Sequence, residues 1–235
     1  MVSEGLHVDY ERLPVTDEQA PIPGVYSRIE ERVSAAMQRY GEGKVDFANN
    51  CQMGRGRTTT GMVATWLVFN VLVKPQYQEL SASFIEVPQT PSRSSGWGDD
   101  REALPYLDGE YKVILQLVAL LQHGKLAKKL TDRAIDSMEG VQNLRRAVYD
   151  LKLRYNAADS GSEKQRSIFH VATNYLYRYG TLITFANYLL EKAEMSAETD
   201  TDDDSRSVRP SMPPFPQWLS RRREITNALS RQILD

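Results

Sequence analysis

Apolar positions recur along this chain at two spacings. Residues 6–13 alternate apolar and polar side chains enough to predict a short strand, and Pro14 ends it. Pro14, Pro21 and Pro23 make 14–24 a loop. Over 25–40 the residues Val25, Ile29, Val33, Ala36 and Met37 fall near helical spacing, and Gly41 and Gly43 follow as stop signals. Residues 44–48 predict a second short strand with Val45 and Phe47 on one face. From Thr59 to about Leu72 the chain is apolar enough for a buried helix, with Met62, Val63, Trp66, Leu67 and Asn70 at helical spacing.

Downstream the pattern turns helical. Residues 88–100 are rich in Pro, Ser and Gly and predict an exposed loop. Val113, Ile114, Leu117, Val118 and Leu121 then form an apolar stripe that His123 and Gly124 terminate. A second stripe runs Leu126, Leu130, Ala134, Ile135, Met138, and a third Leu144, Val148, Leu151, Tyr155. Residues 167–194 predict one or two aromatic-rich helices interrupted near Gly180. The acidic, then Pro-rich stretch 198–214 has the composition of a disordered linker. Residues 218–234 predict a final amphipathic helix with Arg221, Arg222 and Arg223 on its polar side. The fold class expected is therefore α/β: a partial sheet with flanking helices, followed by a mostly helical C-terminal region.

Composition narrows the function. The chain has 235 residues, 41% hydrophobic and 26% charged, with a formal net charge of -2. Without a global basic field, a nucleic-acid partner is not expected. One cysteine excludes an intrachain disulfide. No secretory leader stands at residues 1–10, and no apolar run reaches the roughly 20 residues that span a bilayer. A cytoplasmic, reducing location is the expectation. His7, His123 and His170 are scattered without metal-ligand spacing, so no metal and no cofactor is expected.

The chemistry concentrates at Cys51-Gln52-Met53-Gly54-Arg55-Gly56-Arg57-Thr58, between the predicted strand 44–48 and the helix that follows. A loop wrapped around phosphate must aim several backbone N–H groups inward, which favours glycine at Gly54 and Gly56. The helix N-terminus adds its positive dipole end. A cysteine facing such a concavity exists largely as thiolate. Arg57 can grip two phosphate oxygens in fork geometry, and Thr58 can donate its hydroxyl to the sulfur. Gln52, Met53, Gly54, Arg55 and Gly56 would surround the bound phosphate. Arg57 stands where a nucleotide-binding loop needs lysine, and Thr59 where a dinucleotide fingerprint needs glycine, so both those readings fail. The acid that protonates a leaving oxygen is best sought at Asp17, on a Pro-bounded loop, with Glu18 its neighbouring competitor. A solvated loop aspartate or a helix cap is the plainer alternative.

The stretch from Phe47-Ala48-Asn49-Asn50-Cys51 through Thr60-Gly61-Met62 resembles the phosphatase signature of the paladin family. It is more distantly similar to PTP-like phytases and lipid phosphatases. Tyr10-Glu11-Arg12-Leu13-Pro14 through Asp17 to Pro21 resembles the segment that carries the general acid there. Similar matches are Gly109-Glu110-Tyr111-Lys112, His123-Gly124-Lys125, Val141-Gln142-Asn143-Leu144-Arg145 and 185–190. The resemblance implies a cysteine-phosphatase fold with Cys51 as nucleophile, Arg57 as clamp and Asp17 as acid. Asn50 stands where active cysteine phosphatases usually carry histidine. Only 50 residues precede Cys51, so a fragment or one repeat of a larger protein is expected.

The organisation read from these features is a phosphatase-like segment 1–85, a flexible loop 86–108, a helical region 109–195, an acidic and Pro-rich linker 196–214, and a C-terminal helix 215–235. The partner expected is a phosphorylated small molecule, lipid or protein. Arg55 would serve a neighbouring phosphate or else point to solvent. Lys125, Lys128, Lys129 and Arg133 could form a basic face for an anionic membrane, but more often such a run is a solvated face. The competing expectations are a pseudophosphatase that binds a phospho-ligand without turnover, and a helical interaction scaffold.

Overall fold

The computed structural model describes residues 8–75, 100–199, 212–231 and 234. Helix α1 spans Pro23–Tyr40, with proline at its first position and Gly41, at φ 82°, as its C-cap. Helix α2 spans Gly56–Val68 and runs on into a π-helical turn, Phe69–Val73. Then come α3 Asp100–Leu107, α4 Lys112–Leu120, α5 Gly124–Ser137 and α6 Leu144–Asn156. Helix α7 is Glu163–Thr199, followed by the short α8 Phe215–Ser220 and α9 Arg223–Leu229.

The α/β expectation is overturned. No strand occurs among the described residues, and the elements are helical throughout. Within the predicted strand 6–13, residues 6 and 7 lie outside the described residues, the apolar Val8 and Tyr10 are 62% and 76% exposed, and only Glu11 and Leu13 are partly covered. What is missing is a ladder partner, without which alternation records a face and not a strand. Glu11 accepts from Arg28 Nε at 2.8 Å and from Arg32 Nη1 at 2.7 Å, so α1 side chains hold this segment in the place of a neighbouring strand. Residues 44–48 likewise carry no regular structure; Val45 packs on the core and Phe47 is 37% exposed.

The apolar stripes of α1, α2, α4, α5 and α6 converge on α7 in one hydrophobic cluster. At 37 residues, α7 is about 55 Å long, and every residue from Arg178 to Leu190 is buried. A helix buried on all sides must satisfy its polar members internally. Thr181 and Thr184 therefore donate to the carbonyls of Tyr177 and Gly180, four residues back. Gly180 does not interrupt α7. A Cβ there would stand 3.0 Å from Leu229 Cδ2 and 3.3 Å from Leu117 Cδ2, so the glycine admits two neighbouring side chains. An aromatic group of Tyr26, Phe185, Tyr188, Phe215 and Trp218 ties α1, α7 and α8 together, with Phe185–Phe215 ring centroids 5.2 Å apart.

The single predicted C-terminal helix is two. The chain turns at Arg221 and Arg222, where Arg222 Nη2 reaches the partly buried Glu191 at 2.8 Å and its guanidinium lies 4.0 Å from the Trp218 ring centroid. The predicted loop 86–108 already contains α3. Its residues 86–99, and 200–211 of the acidic linker, lie outside the described residues.

Candidate active site

The candidate phosphate loop runs back from the N-terminus of α2. Gly54 has φ 67°, the left-handed region that a side chain disfavours. Nothing lies within 4 Å of where its Cβ would be, so backbone conformation, not crowding, calls for glycine there. Gly56 answers a different need: a Cβ would lie 3.1 Å from Arg178 Nη1 and 3.5 Å from Gln142 Oε1. Thr59 and Thr60 turn their hydroxyls back to the carbonyls of Arg55 and Gly56, at 3.0 and 2.8 Å. Gly61 leaves room for Asn49, whose Nδ2 donates to Thr65 Oγ1 at 3.4 Å and docks the chain before the cysteine onto α2.

Cys51 is half-buried at the mouth of this turn, with Gln52, Met53, Gly54 and Arg55 exposed around it. Burial pushes its thiol up, but the Thr58 hydroxyl and the backbone N–H groups of Thr58, Arg55 and Met53 outweigh that, and its pKa falls to about 6. Thr58 Oγ1 is buried and meets no acceptor in regular hydrogen-bond geometry. A thiolate at Cys51 is a stronger acceptor for that hydroxyl than the thiol.

Arg57 is 22% exposed, and its Nε lies 3.3 Å from Oδ1 of the 71% exposed Asp17. The contact is an ion pair outside hydrogen-bond geometry, because Arg57 Nε has no hydrogen-bond partner among the described residues. Asp17 sits in a tight turn closed by Gln19 N to Thr16 O at 3.3 Å, with Glu18 at φ 57°. Glu18 N donates to Asp17 Oδ1 at 3.2 Å, and it is the Asp17 carboxylate that lies against Arg57. The predicted residues Asp17, Cys51, Arg57 and Thr58 thus gather at one place. Arg55 is exposed, and Lys128 is diverted from any basic face by Asp132 and the Asp108 carbonyl, at 2.8 and 2.6 Å.

Sequence reasoning missed Arg178. It lies on α7, 1% exposed, with Nη2 donating to the Gln19 carbonyl at 3.0 Å and its guanidinium 4.5 Å from the Tyr175 ring centroid. Burial pulls its pKa down, against the opposing effect of the Tyr175 and Tyr26 hydroxyls. One signal was present: Arg178 is the one charged residue in the stretch 171–190, among Tyr175, Tyr177 and Tyr179. Gln142 reaches Gly56 from the segment before α6, which links the loop to a second distant stretch.

Comparison with known proteins follows the same residues. A family model for PTP-like phytases, described as inositol hexakisphosphate, matches residues 1–69. Paladin of Gallus gallus is 30% identical over 195 residues, 79% of this chain. The chain belongs to the paladin family. That family lies within the cysteine-phosphatase superfamily. Paladins of Homo sapiens and Mus musculus are each 29% identical, over 192 and 194 residues. The paladin-family chain spans 20% of the length of each of these relatives. No solved structure matches it. Among the described residues no helix is long and apolar enough to cross a membrane, and no group of three or more His, Cys, Asp or Glu could hold a metal ion.

Proposed function

We propose that this chain carries the phosphate loop of a cysteine-dependent phosphomonoester hydrolase. The observation that carries the reading is the loop's arrangement: the Thr58 hydroxyl and the N–H groups of Thr58, Arg55 and Met53 act on Cys51 and lower its pKa to about 6, and the neighbouring Arg57 pairs with Asp17. The thiolate attacks phosphorus while the bond to the leaving oxygen breaks, and protonated Asp17 delivers its proton to that oxygen. Arg57 and the loop N–H groups stabilise the equatorial oxygens. Water then attacks phosphorus, Asp17 takes its proton, and the phosphorus–sulfur bond breaks. Thr58 supports the sulfur as thiolate when it departs. Gln52, Met53, Gly54, Arg55 and Gly56 form the rim that meets the substrate, and no metal or organic cofactor takes part.

The substrate class is an inositol phosphate, a phosphoinositide or a phosphotyrosyl protein, met in the cytoplasm, with Arg55 serving a neighbouring phosphate. The phytase-family match over 1–69 supports the inositol phosphates among these. Residues 1–85 are the part that carries the chemistry in this reading.

A second reading has an observation of its own. Asn50 is exposed and uncharged where a histidine would add positive charge, which suits a pseudophosphatase that binds a phospho-ligand without turnover. Phosphate release from a panel of inositol phosphates, phosphoinositides and phosphotyrosyl peptides, measured against Cys51→Ser, separates the two. Release that vanishes in the variant supports the enzyme. No release from any of them, with phosphate binding retained by both proteins, supports the pseudophosphatase.

A further inference from the structure

Beside the apolar packing of Leu13 and Val15, the turn that carries Asp17 has two polar tethers, and the proposed chemistry must release one of them. Asp17 is held by Arg57, with Oδ1 3.3 Å from Nε. A phosphoryl group in the loop claims the same guanidinium, so substrate draws Arg57 away from Asp17. The other polar tether is Arg178, whose Nη2 donates to the Gln19 carbonyl at 3.0 Å across a sequence separation of 159. Gln19 is two residues from Asp17, within the same turn.

Arg178 is a firm anchor. It is 1% exposed and lies against the ring of Tyr175. Its Nη1 faces the first residue of α2, where a Cβ on Gly56 would come within 3.1 Å. One guanidinium therefore touches both the acid-bearing loop and the start of the phosphate loop's helix. Its Nε and Nη1 make no hydrogen bond among the described residues, so the fold leaves a buried cation incompletely partnered. That is costly, and a gain in stability does not account for it.

Resting on the phosphatase reading, we infer that Arg178 is a positioning residue that keeps the Asp17 loop beside the phosphate loop once phosphate has claimed Arg57. Its loss then impairs protonation of the leaving group and not capture of the phosphate.

Two variants test this. Arg178→Met keeps the apolar stem and removes every donor; Arg178→Lys keeps a donor for the Gln19 carbonyl. The kinetics compare phenyl phosphate, whose leaving oxygen needs a proton, with p-nitrophenyl phosphate, whose leaving oxygen needs little help. Arg178→Met should lower kcat for phenyl phosphate by about 10- to 100-fold, part of the ~10²–10⁴-fold that general acid catalysis supplies. For p-nitrophenyl phosphate the loss should stay below about threefold, with KM little changed for either ester, and Arg178→Lys should recover much of the difference. Equal losses with both esters would overturn the inference and make Arg178 a support of the fold alone.

A second measurement is independent of turnover. In saturating inorganic phosphate, backbone hydrogen exchange over 15–20 should run about tenfold faster in Arg178→Met than in wild type. Unchanged exchange would overturn the inference. Should wild type release no phosphate from either ester, the hydrolase reading fails, while the exchange comparison still decides the tether.

Discussion

Removing one hydroxyl should shift the reactivity of Cys51 by a predictable amount. Its thiolate is favoured by the Thr58 hydroxyl and by three backbone N–H groups, acting together against burial to bring the pKa to about 6. Thr58→Ala removes the side-chain contribution and leaves the loop amides in place. A hydrogen bond to a charged group is worth ~1.5–3 kcal/mol, and for a half-exposed sulfur the lower end applies, about tenfold in the thiolate-to-thiol ratio. At pH 6.5 the thiolate fraction should then fall from roughly three quarters to roughly one quarter. The assay is the rate of alkylation by iodoacetamide from pH 4.5 to 9.5, followed by intact mass. With one cysteine in the chain, the signal has one origin. The wild-type rate should reach half its plateau near pH 6, that of Thr58→Ala near pH 7, and Thr58→Ser should follow wild type. A wild-type midpoint near the ordinary cysteine value of about 8.5 would refute the reasoning. So would an unchanged midpoint in Thr58→Ala. The sign for stability follows from the same shift: a depressed acid stabilises the fold fully above its unfolded pKa, and that contribution is lost as pH falls through about 6.

Two further perturbations separate the loop from the core. Gly54→Ala places a side chain at φ 67° in open space, so it should cost about 1–2 kcal/mol in loop conformation. Calorimetric titration with inorganic phosphate should show weaker binding by about tenfold, with the thermal transition nearly unmoved. Phe185→Ala removes a fully buried ring that packs on Tyr26, Tyr188 and Phe215, and should lower unfolding free energy by about 3–5 kcal/mol in urea. A cost below 1 kcal/mol would show that the aromatic group does not join α1, α7 and α8.

The longer helices were legible because each declares itself over several turns, whereas the eight-residue α3 fell inside a predicted loop and the short α8 and α9 were read as one. The stripe from Val113 to Leu121 and the stop at His123 and Gly124 correspond to α4 and the start of α5. The strands were misread because short alternating runs name no ladder partner; in the first, Val8 and Tyr10 are exposed and Glu11 is bound by Arg28 and Arg32 of α1. Gly180 was misread for a related reason. Glycine disfavours an isolated helix by about 1 kcal/mol, yet its gain, the close approach of Leu229 and Leu117, comes from elements far away in sequence. The break at Arg221 and Arg222 likewise depends on Glu191 of α7. At the site, the run from Cys51 to Thr58 could be singled out from the sequence because its cysteine, glycines and arginine stand next to one another. Asp17 needed a loop and a family likeness to be singled out. Arg178 needed the fold, since a chain read in order does not show which carbonyl a distant arginine will meet.

The most direct test of the central claim is a search for phosphate on the cysteine. Wild-type chain is mixed with an inositol phosphate or p-nitrophenyl phosphate, quenched within milliseconds, and analysed as peptides. A phosphoryl group on Cys51, absent from Cys51→Ser and decaying at the rate of phosphate release, is the predicted result. Turnover with no phosphorylated Cys51 at any time, or phosphate release undiminished in Cys51→Ser, would contradict it.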